Sequence, residues 1–137
     1  MHSLIRWHIK TSLVYLILSL LVGVLLAAQA LWKLPLPGLF PVYFHLLTMG
    51  WLTLLIFGVA TWMFPRHSRI DPRTSDRLGW AIYGLLNAGL LLRAVSEPMN
   101  ARSPGVAWGW LLALSALLQW LAGMLFVITI WGRVKER

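Results

Sequence analysis

His45 lies inside a long apolar stretch, PVYFHLLTMGWLTLLIFGVATWMFP, and is the only one of the four histidines that reads as lying within a hydrophobic segment. An ionisable side chain inside a stretch long enough to cross a bilayer is costly, so it marks a functional site by default. Its imidazole can hydrogen-bond to a neighbouring helix or serve as an axial ligand to haem iron. At 1.5 Å per residue it stands roughly 6 Å along the helix from Pro41. At about 100° per residue, Met49, Leu52, Ile56, Ala60 and Met63 share its face, with Tyr43, Gly50, Leu54 and Thr61 roughly opposite. A glycine on Tyr43's side would let a flat group or another backbone come close. The plainer reading is an interfacial histidine bonded to a neighbouring helix, with the methionines filling gaps in the packing.

The rest of the chain has to position that helix. Of 137 residues, 59% are hydrophobic and only 12% charged, and mean hydropathy is +0.74. A soluble domain of this length would be about a quarter charged. The composition therefore indicates an all-α integral membrane protein formed as one domain over 1–137. The net charge of +8 sits in loops and tails, with no basic groove for nucleic acid. Cysteine is absent, which removes disulfides, thiolate metal sites and covalent c-type haem attachment.

Four spans are expected, over about 11–31, 41–64, 78–95 and 105–131. The N-terminus resembles a signal peptide, but its apolar run of roughly twenty residues is too long for one and reads as a retained span. Trp7 and Trp32 mark its two interfaces. His8, beside Arg6 and Lys10, reads as a surface histidine at the basic mouth. Tyr15, Ser19 and Gly23 form an i, i+4 stripe for helix packing. Pro41 suits the first turn of the second helix. Asp71-Pro72 breaks the chain, and Thr74 or Ser75 caps the third helix. That helix carries Gly84, Asn87 and Gly89 for close approach and interhelical bonding, and Arg93 can pair with Glu97. Ser103 and Pro104 read as the N-cap and first position of the fourth helix, which holds Gln119 near its middle.

Nine of the twelve Lys and Arg fall in the N-terminal tail, the loop after the second span and the C-terminal tail. Lys33, Arg93 and Arg102 lie on the other side. The positive-inside rule then puts both termini in the cytoplasm, as in a prokaryotic-type inner membrane, and His45 in the outer leaflet.

The pattern His45-x4-Gly50-Trp51-x6-Gly58-x6-Pro65 resembles the histidine-bearing helix of haem–copper oxidase subunit I. It is similar in spacing to the related NnrS-like haem–copper membrane proteins. Where the oxidase helix serving two haems has His-x-His, this chain reads Tyr43-Phe44-His45. The oxidase fold has twelve helices in three arcs of four, and the chain resembles a single arc. The resemblance implies a non-covalent b-type haem with His45 as axial ligand, and copper as a further candidate. It implies electron transfer, haem handling, or binding of NO or O2. Tyr43, or Met49 from a neighbouring copy, would be candidates for the second axial position, and Arg93 and Arg102 for the propionates. Three copies would rebuild twelve helices, so a homotrimer is expected, with its redox partner unspecified.

Two other functions fit a four-span protein. A small dimeric transporter would need an acidic residue within a span, whereas Asp71, Asp76, Glu97 and Glu136 fall in loops, span ends or the tail. A non-catalytic accessory subunit of a larger membrane complex needs only packing surfaces.

Overall fold

A computed structural model describes residues 3–64 and 72–134, and the side chains within them other than those of residues 30 and 72–75. It is helical, with no strand among the described residues: α1 (Ser3–Trp32), α2 (Leu39–His45), a π-helical segment (Leu46–Thr53), α3 (Leu54–Met63), α4 (Pro72–Arg102) and α5 (Val106–Trp131). Because α2, the π segment and α3 are continuous, four helices among the described residues are long and apolar enough to cross a membrane: Ser3–Gln29, Leu39–Met63, Asp76–Arg102 and Val106–Trp131. The loop 65–71 and the tail 135–137 lie outside the described residues, and with them Pro65, His67, Asp71 and four of the nine basic residues counted above.

Several boundaries differ from the sequence reading, each for a local reason. α1 begins near Ser3, eight residues before the expected start, and so takes His8 into the bundle. The third helix starts at Pro72, which fits a first helical position where its missing N–H costs nothing. Thr74 and Ser75 therefore lie inside its first turn and do not cap it. The same helix continues past Val95 to Arg102 and passes through Pro98. A proline within a span is tolerated where neighbouring chain supports the site. Here Gly38 supplies that support: a Cβ on it would lie 2.7 Å from the Glu97 carbonyl oxygen and 2.8 Å from the Pro98 Cα. Gly38 also has φ +76°, so both its conformation and its contact require glycine. Ser103 closes α4, its N–H donating to the Met99 carbonyl at 2.9 Å. The N-cap of α5 is Gly105, not Ser103.

α1 packs along the whole second span, and α4 forms its most extensive pairing with α5. Lipid gives helices no hydrophobic reason to associate, so close packing and interhelical bonds must do so. Gly50 admits the Tyr15 ring, and Tyr15 Oη donates to Asn87 Oδ1 at 2.8 Å. Tyr83 and Thr11 share a hydroxyl–hydroxyl bond of 2.7 Å. Gly89 brings α5 close, and Ser115 Oγ donates to its carbonyl at 2.7 Å while Gln119 donates to Ser115 at 3.1 Å. The Tyr15, Ser19 and Gly23 stripe is an interface, since Tyr15 and Ser19 are buried and Gly23 lies against Tyr43. Gly84 has no neighbour close enough to make use of its missing side chain.

Candidate functional site

Gly38 opens the second span beside Glu97 and Pro98, near the end of α4, and a short turn leads from there into α5. The second span and α5 therefore run in the same direction. A groove of about 480 Å3 lies between them, floored by Arg93 of α4. His45, Met49 and Phe57 form one wall; Ala116, Gln119, Trp120, Gly123, Met124, Phe126 and Val127 form the other. Its inner part is closed by Phe57 and Phe126, stacked at 3.7 Å and 9° between planes.

The π segment builds the first wall. Twelve α-helical residues from His45 to Phe57 would leave the two about 120° apart around the helix. Accommodating one extra residue in the wider π turns reduces the offset to about 20°. Phe57 thus joins His45 and Met49 on the groove, while Leu52 and Ile56, expected on that face, are exposed. Thr53 is suited to this geometry: its hydroxyl donates to the Thr48 carbonyl, five residues back, at 2.9 Å. It also lies 3.5 Å from the Met49 sulfur.

His45 Nδ1 is 2.8 Å from the Pro41 carbonyl oxygen. A carbonyl can only accept, so Nδ1 carries the proton and Nε2 keeps its lone pair. The imidazole is therefore fixed in orientation and tautomer, with its metal-binding nitrogen uncommitted. Counting outward from the Phe57–Phe126 stack puts His45 level with about Leu114 to Ser115 on α5, and the groove residue nearest that level is Ala116. Gln119 lies about a turn deeper, and Met124 roughly 12 Å deeper than Ala116. Of the α5 residues that line the groove, the one at this end therefore carries only a methyl side chain, and Arg93 of α4 lines the same groove.

Of the five residues expected at the site, the structure brings together His45, Met49 and Arg93. Met49 is one turn inward of His45 on the same wall, so the two occupy one side of the groove. Arg93 donates to Glu97 Oε1 from both Nε and Nη2, each at 3.1 Å. Tyr43 faces α1, its ring resting on Gly23, away from the groove. Arg102 is exposed at the end of α4 and does not reach the site. Sequence reasoning did not assign Phe57, Phe126, Ala116, Trp120 or Met124; only Gln119, polar within a span, carried a signal.

His8 departs most from expectation. It is 4% exposed, not a surface histidine, and its Nδ1 bonds the Leu4 carbonyl at 3.0 Å. Among the described residues no three His, Cys, Asp or Glu side chains gather as a metal-ligand cluster. No protein-family model, curated protein or solved structure matches the chain.

Proposed function

We propose that the chain is a haem-binding membrane protein of oxidase-subunit-I-like type, with His45 as axial ligand to a non-covalent b-type haem. The observation that carries this is the His45–Pro41 bond of 2.8 Å, which leaves Nε2 as a fixed donor atom on the wall of a largely apolar groove. The groove's volume, about 480 Å3, lies within the usual range for small-molecule and cofactor sites. A porphyrin supplies four nitrogens and needs only one or two ligands from the protein, which suits a groove where His45 is the one imidazole among the described lining residues. Bound there, haem would supply a one-electron couple and an iron able to bind a diatomic gas.

The chain's own residues divide the remaining tasks. Pro41 orients the imidazole; Phe57 and Phe126 close the inner end. Arg93 has a guanidinium nitrogen not engaged by Glu97 to offer a propionate. Ala116 leaves room on the imidazole side of the groove, which favours gas binding. Cytoplasmic termini and a homotrimer, in which a second copy covers the open side, complete the proposal. Copper and the partner roles of Tyr43 and Arg102 would need that second copy.

The test is the absorption spectrum of the purified protein, oxidised and dithionite-reduced. A Soret band is expected in the wild type and lost in His45→Ala with insertion intact. A His45→Ala protein that keeps the band ends the assignment.

A second reading has one specific observation behind it. Glu97 already neutralises Arg93, the cation among the described residues that line the groove. That suits a neutral, lipid-soluble quinone with its head group on His45 and its tail along the apolar inner half. A colourless protein that binds a quinone analogue, and loses it in His45→Ala, would support this reading over haem.

A further inference from the structure

His8 is a second imidazole buried in the bundle, and the reading above does not use it. Its Nδ1 donates to the Leu4 carbonyl at 3.0 Å, so Nε2 holds a lone pair. Its ring lies 5.1 Å from Tyr83, edge-on, and Tyr83 is itself tied to Thr11. Gly58 makes room for it, since a Cβ there would lie 2.9 Å from the His8 Cβ.

Beside the imidazole is a cavity of about 30 Å3 whose polar lining is His8, Thr61, Thr129 and Arg133. One water needs about 10–15 Å3 on this measure, with two to four polar partners. Thr61 donates its hydrogen to the Phe57 carbonyl at 2.7 Å, and Thr129 donates to those of Leu125 and Phe126 at 2.8 Å. Both hydroxyls therefore present lone pairs, as does His8 Nε2, and the guanidinium brings donors. One water, able both to donate and to accept, matches this set. Anything much larger does not fit.

We infer that His8 and this cavity form an inner proton-binding site, in which one water bonds to Nε2 and exchanges protons between the imidazole and the Arg133 end of the bundle. On uptake, the Nε2 lone pair takes a proton from the water, which regains one from bulk. The Nδ1–H bond to Leu4 is kept, and Nε2–H then donates to the water. Among the described residues, the titratable and charged groups beside the ring and its cavity are Tyr83 of α4 and Arg133 of α5, while α3 presents the neutral Thr61. Arg6 and Lys10 of α1 and Arg77 of α4 are exposed at that end, and Asp76 is half-buried there. The Phe57–Phe126 stack lies between this cavity and the outer groove, so the two imidazoles act as separate sites.

The experiment is solid-state NMR of the full-length protein in lipid bilayers with 15N-labelled histidine. The resonance is identified by its contact with the Tyr83 ring and by its loss in His8→Gln. At about pH 8, Nε2 should be unprotonated with a cross-peak to water, and it should protonate reversibly as pH falls towards about 5. Thr61→Val should weaken the water cross-peak and leave the tautomer unchanged. A proton on Nε2 at high pH, no water contact, or no titration over that range would each overturn the inference. The readout needs no bound cofactor, so it stands apart from the fate of the haem reading.

Discussion

Phe126 of α5 stacks face to face on Phe57 at 3.7 Å, and it borders both the His45 groove and the His8 cavity. One aromatic ring thus forms part of the boundary of two sites, one near each end of the bundle. The stack is also a principal contact between the second span and α5, which otherwise touch little.

Phe126→Ala should therefore loosen that contact and lower the thermal midpoint in mild detergent. The ring pair itself contributes about 1 kcal/mol. Phe126→Leu, which keeps more of the volume, should lose less. Midpoints equal to the wild type in both variants would show that the stack contributes nothing of its own.

Gly50→Ala places a Cβ 2.8 Å from the Tyr15 ring and 2.9 Å from Leu90. Overpacking of this kind costs about 1–3 kcal/mol, and here it bears on the π segment directly. Gly84→Ala meets nothing within 4 Å and should be neutral or slightly stabilising. Thermal unfolding of the two variants side by side measures the contrast.

Tyr15→Phe removes the bond to Asn87 but leaves the ring on Gly50. Interhelical bonds in membranes average about 0.6 kcal/mol, so the loss should be small. Asn87→Leu should cost more, because it also removes the bond to the Tyr83 carbonyl. Unfolding in detergent would rank the pair.

Ala116→Leu fills part of the groove near His45 and leaves the imidazole itself in place as a ligand. If the groove holds haem, pigment per mole of protein should fall severalfold while the fold survives, read by absorbance and size exclusion. Undiminished pigment would place the cofactor elsewhere.

The four spans were legible because a bilayer demands long apolar helices, and composition alone reveals those. Tyr15, Asn87 and the Arg93–Glu97 pair were legible too, since polar side chains in lipid must find partners. The continuation of the His45–Met49 face to Phe57 was not, because α-helical periodicity has no means of registering the residue absorbed between Leu46 and Thr53. His8 was misread for a different reason: nearby Arg6 and Lys10 suggested a helix that starts later, whereas the backbone becomes helical at Ser3. Tyr43 looked like a companion of His45 in sequence, yet Gly23 gives its ring a seat on the other side.

The π segment makes the second span sensitive to chain length in a way that substitution would not reveal. Deleting a single codon anywhere from 46 to 53 would let the turn relax to ordinary α geometry. The part from Leu54 inward could keep its packing, while His45 would swing by about 100°, out of the groove and towards lipid or α1. An in-frame deletion scan should therefore show a narrow window in which removing one residue silences the site while insertion into the bilayer continues.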